Sequence, residues 1–60
     1  MNERVMAQIA FEAYSRYSGG KSLVTGCELP GWEEVDERIK EAWTAAASAV
    51  LDAVTAAVLT

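Results

Sequence analysis

All four glycines and the only proline of this 60-residue chain fall between Gly19 and Gly31, and the segments on either side hold no helix breaker. Punctuation of that kind prescribes one helix, a loop and a second helix, so the chain reads as a single helical-hairpin domain over residues 1–60. The first helix is expected over about residues 3–18, with Asn2 as its N-cap, Glu3 in its first turn and the Gly19-Gly20 pair as its stop. At 100° per residue, Ile9, Ala13, Met6, Tyr17, Ala10, Tyr14, Ala7 and Phe11 share one arc, while Gln8, Glu12, Ser15 and Arg16 take the other. The apolar arc is about 200° wide, more than one partner helix covers. It implies a second contact surface. Tyr17 and Trp43 are expected in the core.

The loop runs over about residues 19–31, and the second helix begins either directly after Pro30-Gly31, from Trp32, or at Asp36, and continues to Leu59. An Asp36 cap would leave Trp32 to Val35 as a separate short turn with Trp32 packed over the helix start. Trp32, Val35, Ile39, Trp43, Ala46, Val50, Val54 and Ala57 recur at steps of three and four, the mark of an amphipathic helix. Alanine dominates the second half, which favours helix and allows close approach of a neighbouring backbone. The second helix is much the longer. Packed as an antiparallel hairpin, the first would leave Val50, Leu51, Val54, Val58 and Leu59 without a partner. The fold expected is therefore all-α, a two-helix hairpin with a long Gly-rich loop, whose C-terminal helix mediates homo-oligomerisation, most simply as a two-fold dimer.

Composition narrows the chemistry. With no histidine and one cysteine, a single copy holds neither a Ser-His-Asp or Cys-His relay nor a Cys/His zinc site. No catalytic residue, metal or cofactor is expected. Nine acidic against five basic side chains give a net charge of −4, which repels a phosphate backbone and argues against general nucleic-acid binding. At 52% hydrophobic residues the chain is no disordered tail. The lone Cys27 closes no intrachain disulfide, and Met1 to Arg4 lack the features of a secretory signal, so a cytoplasmic location is expected. The Ala- and Val-rich run from Thr44 to Thr60 carries Asp52 and is too short for a membrane span.

The loop, Ser18 to Gly31, is long for a helix-to-helix connection, and long loops are often functional. Gly19 and Gly20 free the backbone to turn amides outward, Lys21 adds a cation, and Ser22 and Thr25 add hydroxyls, a set that suits a phosphate or carboxylate. Arg16, one turn earlier, flanks the same position, and Tyr14 and Trp32 offer aromatic faces for a base. Gly20-Lys21-Ser22 is not the end of a P-loop, because residue 15 is serine where that motif needs glycine. Leu23, Val24 and Leu29 are expected to fold onto the hairpin core and make the loop compact. Glu33, Glu34, Asp36, Glu37 and Glu41 read as a solvated helix start.

Ala13-Tyr14 with Tyr17, then Gly19-Gly20-Lys21-Ser22, Gly26, Leu29-Pro30, Trp32, Ala42-Trp43, Ala45-Ala46 and Val50, resemble a group of short bacteriophage and prophage proteins. The resemblance covers roughly residues 8 to 51. A proline often precedes the long helix in that group, where this chain has Asp36. The order of elements is also distantly similar to the ryanodine-receptor-type repeat, whose bacterial versions have been proposed to recognise nucleotide-derived signals. The resemblance implies a non-enzymatic counter-defence factor of the host-cell cytoplasm that works by binding. One mechanism is sequestration of a phosphorylated nucleotide in loop pockets of an oligomer, with Lys21 on phosphate and Tyr14 or Trp32 on the base. Another is a block on a host protein, through the acidic helix start or the apolar patch. The third is oligomerisation alone.

Overall fold

The computed structural model describes residues 2–59. Two helices, α1 (Glu3–Tyr17) and α2 (Glu37–Leu59), flank a loop that contains one 3-10 turn, Trp32–Glu34. Among the described residues the only β-pairing is an isolated antiparallel bridge between Lys21 and Glu28. The fold is an all-α helical hairpin.

Each helix end has a local cause. The Asn2 side chain accepts the Val5 amide at 2.8 Å, which satisfies one of the free donors of the first turn of α1. At the other end Ser18 is the cap, and the Gly20 amide reaches back to the Ser15 carbonyl at 2.8 Å while Gly19 reaches Arg16 at 3.4 Å. That pair of bonds is a Schellman stop, and it needs the left-handed backbone that Gly19 adopts at φ 73°. α2 begins one residue after Asp36, whose carboxylate accepts the Arg38 amide at 2.8 Å. Of the two starts open in the sequence, the Asp36 cap is the one adopted, and Trp32–Glu34 stands apart as the short turn.

The core is small and sits at one end of the molecule. Ala7 and Phe11 of α1, Trp32 and Val35 of the turn segment, and Ala47 of α2 are buried, with Met6, Leu29 and Trp43 packed around them. Phe11 is the hub, with ring centroids 5.5 Å from Trp32 and 5.7 Å from Trp43. Burying side chains of this size contributes roughly 1.5–3 kcal/mol each. Trp32 is closed from the other side by the Lys40 ammonium, 5.6 Å from the ring centroid. No buried polar side-chain atom among the described residues lacks a hydrogen bond.

The helices cross. Tyr14 stacks on Trp43 at 5.6 Å, yet Arg4 also forms an ion pair with Glu37 at the start of α2. In a strictly side-by-side antiparallel pair with Tyr14 opposite Trp43, Arg4 and Glu37 would be about 24 Å apart along the axes. Their contact requires the axes to cross at an angle. Crossing confines the packed region and rotates it on both helices away from the centres of the apolar arcs. On α1 the buried edge is Ala7 and Phe11, leaving Val5, Ile9 and Ala13 in solvent. Tyr17, expected in the core, is 85% exposed because it ends α1 and stands about 80° around the helix from Ala7 and 120° from Phe11. On α2 the buried line runs through Ala47, with Lys40, Trp43 and Leu51 half-buried, so Ile39, Ala46 and Val50 face outward, while Val54, in line with Ala47, is exposed beyond the end of α1.

Candidate functional site

Two places were singled out by sequence, the Gly-rich loop and the C-terminal half of α2, and the structure treats them differently. The loop is a folded hairpin. The Ser22 amide donates to the Cys27 carbonyl at 2.8 Å and the Leu29 amide to Gly20 at 2.8 Å, with Lys21 and Glu28 bridged between them. The Gly26 amide donates to the Ser22 carbonyl at 2.8 Å, closing a four-residue tip whose last residue is left-handed, φ 76° at Gly26. Ser22 Oγ accepts the Val24 amide at 3.1 Å and the Thr25 amide at 3.3 Å, and Thr25 Oγ1 accepts Cys27 at 3.2 Å. The Tyr14 hydroxyl accepts the Leu23 amide at 2.8 Å, pinning the loop to α1.

These bonds change what the loop offers a ligand. The amides of Gly19, Gly20, Ser22, Leu23, Val24, Thr25, Gly26 and Cys27 are all donated within the chain, so they do not form an outward cradle. The Ser22 and Thr25 hydroxyl oxygens accept loop amides. Lys21 is exposed but stands across from Glu28, which offsets its charge. Arg16 is exposed on the other side of the Gly19-Gly20 turn. Trp32, expected as a stacking face, is 7% exposed and belongs to the core between Phe11 and Lys40. Tyr14 is half-buried, its ring against Trp43. Of the predicted ligand-binding group, then, Arg16 and Lys21 present free side chains, Ser22, Thr25 and Tyr14 hold the loop in shape, and Trp32 holds the core. Leu29 packs inward as expected, whereas Leu23 and Val24 project into solvent at 64% and 92% exposure, because the tip turns away from the helices. Cys27 is an exposed free thiol.

The second place is open and apolar. Val50, Val54, Val58 and Leu59 are all more than half exposed, as the length difference between the helices implied. Leu51, grouped with them from the sequence, is instead half-buried, since it lies one turn from Ala47 on the packed side. Where the crossing helices diverge, Met6, Ala10, Trp43, Ala46, Ala47 and Val50 line an open groove of about 310 Å³. A second hollow of about 240 Å³ adjoins it over Ala42, Trp43 and Ala46. Of the groove residues, the sequence places Trp43 in the core, Met6, Ala10 and Ala46 on the apolar faces, and Val50 on the patch left without a partner. The signal that separates them is the seam Ile39, Trp43, Ala46, Val50, Ala53, Ala57, with steps of four and three, a heptad spacing that suits an exposed coiled-coil face as well as a core.

Among the described residues, no group of three or more His, Cys, Asp or Glu side chains is placed to hold a metal ion. The run expected to be too short for a membrane starts earlier than Thr44. α2 is 23 residues long with a mean hydropathy of 1.6 over its best window, enough by length and composition to cross a bilayer. In comparisons with protein families, curated proteins and solved structures, the chain matches none.

Proposed function

We propose that this chain is a small non-enzymatic binding module that works as a homo-oligomer, its copies joined through the outward apolar face of α2. The observation that carries this reading is the groove of Met6, Ala10, Trp43, Ala46, Ala47 and Val50, continuous with exposed Val54 and Val58. An apolar surface of that extent on so small a domain is costly in water and is the usual mark of a contact surface. A role as a phage accessory or counter-defence factor, in the cytoplasm of the host, fits the resemblance to short phage proteins.

A second reading, sequestration of a phosphorylated nucleotide between copies, is favoured by one feature: Arg16 and Lys21 are exposed on either side of the Gly19-Gly20 turn. The amides and aromatic faces that such a site would also use are engaged within the fold, so we rank it below association. Native mass spectrometry of the protein purified from expressing cells separates the two. A multimer without adduct, converted to monomer by Val50→Asp, supports the first reading. A phosphorylated adduct retained by the native chain and lost in Lys21→Ala supports the second. A bare monomer at tens of micromolar contradicts both.

A further inference from the structure

We propose that the tip of the loop hairpin, Leu23 and Val24, dips into the surface of a neutral phospholipid bilayer and holds the chain there reversibly. The inference goes beyond the self-association proposed above and does not rest on it, since the tip lies outside α2.

Leu23 is 64% exposed and Val24 92%, in a turn where Gly, Pro, Asn, Asp and Ser are the residues that the backbone favours. Neither aliphatic side chain serves the core, which the loop meets through Leu29 instead. Nor is the tip loose. The Tyr14 hydroxyl accepts the Leu23 amide at 2.8 Å, and Ser22 Oγ accepts the Val24 and Thr25 amides at 3.1 and 3.3 Å. Both side chains are thus set outward in advance, with little backbone entropy left to lose on contact.

Three properties of the tip select lipid. Its backbone donors are already satisfied: the Ser22 amide donates to the Cys27 carbonyl and the Gly26 amide to the Ser22 carbonyl, both at 2.8 Å, and the Cys27 amide to Thr25 Oγ1 at 3.2 Å. With the three bonds above, every amide from Ser22 to Cys27 is donated within the chain. Free donors are what keep most loops out of lipid. Two side chains reach only the headgroup and upper acyl region, where water still serves the carbonyl oxygens of the tip.

The tip also carries no charge from Ser22 to Cys27, and at its base Lys21 stands opposite Glu28, which offsets it. The net charge of −4 opposes approach to an anionic surface, so the lipid is a neutral one. Size is the third property. Two aliphatic side chains cover far less than the roughly 800 Å² that each side gives to a stable protein interface, whereas a bilayer asks for no complementary shape.

Flotation with phosphatidylcholine vesicles at millimolar lipid tests the inference, with an environment-sensitive fluorophore on Cys27, the one thiol of the chain and exposed beside the tip. The expected result is reversible binding, no tighter than the about 10⁴ M⁻¹ of a single myristoyl chain, and a blue shift of the label. Val24→Asp should lower binding by at least about tenfold while helical circular dichroism and mass stay as in the native chain. Phosphatidylserine added to the vesicles should weaken it. The same fluorophore on A56C, in a Cys27→Ser chain, reads α2 and should not shift. No binding at millimolar lipid overturns the inference. A shift at residue 56 with none at residue 27 also overturns it, by making α2 the lipid contact. Binding that needs phosphatidylserine and survives Val24→Asp overturns it in favour of Arg16 and Lys21. A shift at Cys27 that grows with protein concentration in the absence of lipid means that a second copy covers the tip, and overturns it too.

Discussion

The two halves of α2 both carry an apolar face and are treated in opposite ways. From Glu37 to Ala47 the helix is held: its start is capped by Asp36, Trp43 packs against the rings of Phe11 and Tyr14, and Ala47 is buried in the core cluster with Ala7 and Phe11. Beyond Ala47 every described residue but Ser48 and Leu51 is exposed, although that half holds all three valines of the helix and Asp52 is its one charged residue. The difference lies in what crosses them. α1 is 15 residues long and crosses at an angle, so it covers one stretch of a 23-residue helix and no more. An apolar face is a core only where the chain supplies a partner.

Breaking the held half has the largest expected effect. Phe11→Ala removes the ring that joins Trp32 to Trp43 and should cost about 3–5 kcal/mol, enough to unfold a domain of this size at 25 °C. The loss would appear as reduced helical circular dichroism without denaturant. Val50→Asp, in the outward half, should leave the helices folded but weaken self-association at least tenfold, read as a shift of the dissociation midpoint in sedimentation. If instead Val50→Asp unfolds the chain and Phe11→Ala does not, the division of α2 is reversed.

Smaller effects sharpen the boundary. Asp36→Ala removes the cap of α2 and should cost about 1 kcal/mol, seen as a lowered urea midpoint. Gly26→Ala forces a Cβ into a left-handed position, φ 76°, where nothing crowds it, so only the backbone cost of about 1 kcal/mol is expected. Lys21→Ala should change stability by no more than about 0.5 kcal/mol, because its side chain is exposed and only flanks Glu28. A larger loss on Lys21→Ala would place the cation in the fold's support.

Much of this arrangement was legible in the sequence, for identifiable reasons. Helix limits followed from local chemistry: Asn2, Gly19, Pro30 and Asp36 act within one turn of their own positions, and the turn at Trp32 was one of two starts left open. The exposure of Val54, Val58 and Leu59 followed from helix length, whereas Val50, within reach of Met6 and Ala10, is exposed because it faces away from the packed line. What did not follow was rotation. Whether Ala46 or Ala47 faces the partner depends on the crossing of α1 and α2, which no local residue specifies, and an arc as wide as that of α1 permits several choices. Tyr17 and Ile9 were misplaced for that reason. The loop failed differently. Its residue types suit an anion, but Ser22, Thr25 and Tyr14 satisfy the loop's own amides, and a sequence does not show which partner a hydroxyl takes. Trp32 was read both as a cap over the helix and as a ligand face, and the packing of Phe11 and Lys40 leaves only the first.

The central claim is that the outer half of α2 is a surface waiting for a second α2. Hydrogen exchange of the α2 amides, measured from low to high protein concentration, tests it most directly. The account predicts that protection over residues 49–58 rises with concentration while protection over residues 40–47 stays nearly constant. Exchange in 49–58 that is fast and independent of concentration, up to the highest reached, would contradict it.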